Sequence, residues 1–249
     1  MADDPKLWVA LGSSGFALAG TLYTTIANYR SQQKLARLNA DLESESDERK
    51  ARREAQKVVS KFRDPLMHAA YDLQSRIFNI LKLGFLSRYY TRGSAREKEY
   101  AVENTLFLLA QFLGWTEATR EEIQFLDLDA DDQTRELRRL QDGIYTQLQT
   151  DSLGEEFRLF AGEQRAVGEL MLDRTSSVCR CIGFAAFMGG RNPAIDHWLN
   201  PLRDDVKRMA VHLEPFEKRL VSIQHSLIDL LQFLDPEFVR FPRATRAKV

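Results

Sequence analysis

Residues 31–62 read SQQKLARLNADLESESDERKARREAQKVVSKF. Neither glycine nor proline interrupts the stretch and most of its residues are good helix formers, so it predicts one continuous helix. Leu35, Leu38 and Leu42 recur at 3,4 spacing, and Ala51, Ala55, Val58 and Phe62 at 4,3,4, while Glu43 to Lys50 carries no apolar side chain. A sustained coiled coil needs three or four unbroken heptads. The pattern therefore predicts a charged helical stalk, residues 30–63, with two short coiled-coil seams through which copies would self-associate. Glu48 with Arg52 and Lys50 with Glu54 stand at i,i+4, where opposite charges support an exposed helix by about 0.3–0.5 kcal/mol each. The run Arg49, Lys50, Arg52 and Arg53 is interleaved with acids, which marks a solvated face rather than a phosphate-binding strip.

Toward the N-terminus, residues 7–29 read LWVALGSSGFALAGTLYTTIANY without a charge. That is long enough for the ~20-residue helix that crosses a ~30 Å hydrocarbon layer. Ser13 with Ala17 and Gly15 with Ala19 form a small-xxx-small face for helix pairing within lipid, and Trp8, Tyr23 and Tyr29 suit the interfacial zones. Ala17-Leu18-Ala19 also fits a signal-peptide cleavage pattern, but the preceding residues 1–6 lack a net positive charge and the apolar run continues past the cut. A helix buried in a soluble protein is the remaining reading, and the polar stalk leaves it little to pack against. Arg30, Lys34 and Arg37 follow the segment while Lys6 alone precedes it, so the C-terminal bulk is expected on the cytoplasmic side of a single-pass anchor, at the inner membrane if the host is bacterial.

Toward the C-terminus, 44% apolar and 29% charged residues over 249 positions supply a core. Thirteen Gly and seven Pro are too few for a turn-rich β-sandwich. With 35 basic against 36 acidic residues there is no global electrostatic case for nucleic acid. Asp64-Pro65 is expected to end or restart a helix. Amphipathic helices are then predicted over 65–90, 95–113 (closed by Gly114), 116–126, 133–150, 155–172, 192–212 and 215–234, and residues 176–190 fit either a buried helix or a short strand. The chain thus reads as all-α: a tail at 1–6, a transmembrane anchor at 7–29, a stalk at 30–63, a multi-helix bundle at 64–242 and a basic tail at 243–249.

The chemistry-bearing residues are few. His68 with Asp72 and His225 with Asp229 each sit at i,i+4, so each pair projects an imidazole and a carboxylate from one helix face; four such groups converging in a bundle would suit a metal ion. Cys179 and Cys181 lack the spacing and the second pair of a zinc site and read as buried apolar thiols of a reducing compartment. The acidic stretch Asp127, Asp129, Asp131 and Asp132 has Asp132 and Arg138 where a calcium loop needs Gly and Glu, and reads instead as an N-cap cluster. No nucleophile elbow, Walker A or G-x-G-x-x-G sequence occurs. Residues 154–171, GEEFRLFAGEQRAVGELM, are expected to form an ion-pair network among Arg158, Glu163, Gln164, Arg165 and Glu169. Gly162 and Gly168 in that segment would permit close helix contact. Glu163, Arg165 and Glu169 are the surface chosen for a ligand or partner. Together these features predict a membrane-anchored helical interaction or scaffold protein without a cofactor, binding lipid through 7–29 and a protein partner or itself. The alternatives are a metal-dependent enzyme using the His/Asp pairs and an oligomerising membrane effector.

Overall fold

A computed structural model describes residues 5–123, 132–175, 179–189 and 193–249; the side chains of 5–27, and several others up to residue 59, lie outside that description. The chain is all-α. Helix α1 spans Pro5–Leu83, α2 Ala95–Ile123, α3 Asp132–Gln149, α4 Ala161–Met171, α5 Phe184–Gly189, α6 Pro193–Met209 and α7 Glu214–Leu234. Among the described residues the only extended pairing is an isolated antiparallel bridge between Leu172 and Cys181. That bridge and the short α5 settle the ambiguity at 176–190 for residues 179–189.

The chain divides into two compact units, Met1–Ala51 and Arg52–Val249. In the first, Arg49 pairs with Glu45 at 2.6 Å and Lys50 with Asp47 at 3.0 Å, all well exposed, as expected of a solvated face. Lys50 thus turns to Asp47 rather than to Glu54, which pairs with Lys57 at 2.6 Å. The side chains of Glu48 and Arg52 are outside the described residues. Leu35, Leu38 and Leu42 are each more than half exposed. Among the described residues no helix is long and apolar enough to cross a membrane. Residues 7–29, expected to do so, are helical in backbone, but the side chains of Ser13, Gly15, Ala17 and Ala19 lie outside the description.

In the second unit α2 is central. Leu106, Leu109, Ala110, Phe112 and Leu113 are fully buried, joined by Leu66, Ala70, Leu73 and Ile77 of α1 and by Leu220, Leu227, Leu230 and Leu231 of α7. Two predicted breaks do not occur. Pro65 lies inside α1, although proline removes a helix hydrogen bond at a cost of about 3 kcal/mol. Burial of Phe62 before it and of Leu66 and Met67 after it outweighs that loss. Gly114 lies inside α2 and serves close approach instead of termination: a Cβ there would meet Cys181 Sγ at 2.7 Å and Met171 Cβ at 2.8 Å. The expected 155–172 helix starts late, at Ala161, because Phe157 adopts φ +53 and Arg219 draws the carbonyls of Gly154 and Glu156 away from helix geometry. Residues 243–249 fold back on the domain, where Gln74 and Gln224 bind the carbonyls of Thr245 and Ala247 and Lys248 pairs with Asp229.

Of the two glycines expected to allow close helix contact, only Gly168 does. A Cβ there would stand 2.9 Å from the Leu113 carbonyl oxygen and from Glu117 Cβ, whereas one at Gly162 meets nothing within 4 Å. Gly168→Ala should therefore destabilise the domain by about 1–3 kcal/mol through overpacking. Gly162→Ala should stabilise it by up to about 1 kcal/mol, because glycine is a poor helix former. Urea denaturation of the two variants reads both signs, and equal midpoints would refute the packing argument.

Candidate functional site

The sequence-derived candidates take up structural partners. His68 is exposed and sets its ring edge-on against Phe241, 5.1 Å between centroids. Its helix neighbour Asp72 is also exposed. His225 hydrogen-bonds the Val249 carbonyl at 2.9 Å, and Asp229 pairs with Lys248 at 2.6 Å. The C-terminal segment thus occupies three of the four, and among the described residues no group of three or more His, Cys, Asp or Glu is placed to hold a metal ion. Glu163 closes a cap by accepting the Phe160 N–H at 2.8 Å. Arg158 pairs with Asp151, and Gln164 is buried on the carbonyls of Tyr145 and Leu159. These bonds, rather than the predicted ion-pair network, organise α4. Glu163 does line an open cleft of about 540 Å³ with Phe160, Trp198 and Arg208, while Arg165 and Glu169 are exposed outside its lining. Cys179 and Cys181 are half-buried free thiols, and burial, with Cys179 alongside, pushes the Cys181 thiol up to about 12. Of the acidic stretch, Asp132 opens α3 and pairs with Arg135; Asp127, Asp129 and Asp131 lie outside the described residues.

A different site forms where the chain turns from α1 into α2. Helix α1 stops at Gly84, whose φ of +62 is the left-handed position that glycine takes without strain. A π-helical turn, Ser87–Thr91, follows, fastened by Arg88 N–H to the Gly84 carbonyl at 3.0 Å. Gly93 then passes so close to the Tyr89 carbonyl that a Cβ would sit 2.1 Å from it. Ser94 starts α2: its N–H and Oγ bond Glu97 Oε2 at 2.8 and 2.7 Å, a reciprocal capping box. This tight corner brings Arg76, Asn79 and Leu83 from α1, Phe85, Arg88 and Tyr89 from the turn, and Arg96, Glu97 and Tyr100 from α2 around one open cleft of about 570 Å³. Volumes of roughly 300–1,000 Å³ are usual for small-molecule sites.

Arg76 sets the electrostatics. It is 8% exposed, donates through Nη2 to Asn104 Oδ1 at 2.6 Å, and lies 3.8 Å over the Phe85 ring and 5.7 Å from that of Tyr100. No carboxylate pairs with it among the described residues, and its Nη1 has no hydrogen-bond partner. Burial pushes the guanidinium below its usual range, and the Tyr100 phenol offsets part of that cost. A buried cation without a counter-charge is expensive, as is a buried N–H without an acceptor. Arg88 and Arg96 are exposed and enter no ion pair among the described residues. The single lining carboxylate, Glu97, is held below its ordinary range by the hydrogen bonds from Ser94 and stays ionised at the helix cap. Three guanidiniums, one carboxylate already committed and the positive N-terminus of α2 give the cleft a net positive field.

No protein family, curated protein or solved structure matches the chain.

Proposed function

We propose that the chain is a membrane-tethered helical binding protein whose domain receives an anionic group in the cleft at the α1–α2 corner. The observation that carries the reading is Arg76, buried without a carboxylate and with its Nη1 unsatisfied, in a cleft that also holds Arg88 and Arg96. The tether rests on the uncharged residues 7–29 and on the basic residues Arg30, Lys34 and Arg37 that follow them, which favour a cytoplasmic domain. The exposed leucines of the stalk suit self-association at the bilayer.

Two measurements test the two halves. The intact chain should pellet with membranes from a detergent-free lysate and withstand carbonate washing, while a chain lacking residues 1–29 should stay in the supernatant. Intact chain in the supernatant removes the tether. In detergent micelles, pyrophosphate should bind saturably, and Arg88→Ala with Arg96→Ala should weaken that binding tenfold or more. Unchanged affinity removes the anion site.

A further inference from the structure

An inorganic anion satisfies the guanidiniums and leaves most of the cleft unused. The remaining lining is aromatic and apolar: Tyr100 is 47% exposed and Leu83 61% exposed, with Phe85 and Tyr89 half-buried beside them. Phe85 and Tyr89 stand 5.0 Å apart, and Phe85 already has the Arg76 guanidinium on its face. Tyr100 meets Phe184 edge-on at 6.3 Å, a contact that leaves its ring half exposed to the cleft. Asn79 adds a neutral amide, able to donate and accept in plane. Cations, ring faces and an amide recur where proteins bind a planar base carrying phosphate. The phosphate-cradling glycine loops of nucleotide enzymes are absent from the sequence, so here side chains would bear the whole recognition.

We propose that the ligand of this cleft is a nucleoside phosphate, its phosphates on Arg76, Arg88 and Arg96 and its base against Tyr100 and Leu83. The proposal rests on the anion-binding reading above and adds the ring. Arg88 on the turn and Arg96 at the start of α2 place the phosphates at the corner, and Tyr100, one turn further along α2, places the base beside them. Arg76 backs the phosphate end from within the wall: its Nη1 has no partner and its face rests on Phe85.

Isothermal titration of the full chain in detergent with ADP, GDP, UDP, pyrophosphate and adenosine tests the assignment. At least one nucleoside diphosphate should bind tenfold or more tightly than pyrophosphate, and adenosine only weakly. Tyr100→Ala, at a half-exposed position, should weaken the nucleotide roughly five- to a hundredfold, the range of base–aromatic stacking, and weaken pyrophosphate less, since Tyr100 reaches the phosphates only through Arg76. Arg88→Ala with Arg96→Ala should weaken both. Far-UV circular dichroism and the melting temperature show whether each variant has folded, and Leu83→Ala on the same wall replaces Tyr100→Ala if that chain does not. Equal affinity for pyrophosphate and all three nucleotides overturns the ring and leaves the anion site standing. No binding of any phosphate overturns both.

Discussion

Arg219→Met should cost the domain about 4–5 kcal/mol, at the exceptional end for a single substitution. Arg219 is fully buried on α7, and every N–H of its guanidinium meets a backbone carbonyl. Nε donates to Glu156 O at 2.8 Å, Nη1 to Gln147 O at 2.5 Å and Leu148 O at 3.1 Å, and Nη2 to Thr150 O at 3.0 Å and Gly154 O at 2.7 Å. Two of these acceptors belong to the last turn of α3, whose carbonyls have no partner within the helix. The cation also stands at the negative end of that helix, where it is favoured. Methionine fills comparable space but leaves four carbonyls without donors, the Leu148 carbonyl keeping the Leu159 N–H at 2.9 Å, and each unmet buried group costs about 1–3 kcal/mol before water relieves some of them. Lysine, with three rotatable donors, cannot reproduce the planar fork, so Arg219→Lys should recover less than half of the loss. Urea denaturation measures both variants. A loss below about 1 kcal/mol for Arg219→Met would mean that the loop closes on α3 without this hub.

The same residue shows where reading the chain alone stops. The starts of α3, α6 and α7 were legible because local signals mark them: Asp132 at the first turn, Pro193 as the first helical residue and Pro215 just inside the last helix. Breaks inferred at Pro65 and Gly114 failed because propensity is a local quantity, and at both positions distant packing outweighs it. Arg219 stands within a helix whose sequence suggests a solvated charge; its five acceptors come from residues 147–156, which no spacing rule connects to it. The cleft was hidden for a related reason. Ser94 to Glu97 carries the capping-box pattern, a local signal at the start of the helix predicted from residue 95. Arg76, however, lies in an apolar run with Leu73, Ile77 and Ile80, and its burial depends on Phe85 beyond the turn and Asn104 in the next helix. The His/Asp pairs meet partners that their spacing does not reveal. Their i,i+4 spacing is real, but partners in the last residues of the chain explain three of the four groups.

Those last residues carry the second large effect. Arg246→Met should destabilise the domain by about 3–5 kcal/mol, because it leaves Asp235 buried without its counter-charge. Arg246 and Asp235 are both buried: Nη2 donates to Asp235 Oδ2, and Nη1 to the carbonyls of Asp235 at 2.9 Å and Leu231 at 3.2 Å. Asp235 also accepts the N–H groups of Val239, Arg240 and Phe241 at 2.8, 3.1 and 3.3 Å, so one carboxylate gathers the whole turn after α7. Burial alone would raise this carboxyl, but the three backbone donors and Arg246 hold it below the usual carboxylate range. A depressed folded-state pKa contributes stability that is complete above the unfolded value of about 3.9 and is lost as pH falls through the folded one. Stability in urea should therefore drop below about pH 4, and Asp235→Asn, which cannot titrate, should flatten that part of the profile. In a double-mutant cycle, Asp235→Asn with Arg246→Met should cost less than the sum of the single changes, since neither charge is then left alone. Additive losses would show that the pair does not couple. The C-terminal residues would then be held by Gln74, Gln224, His225 and Lys248, and a chain ending at 242, which loses those contacts as well, should melt below Arg246→Met rather than with it.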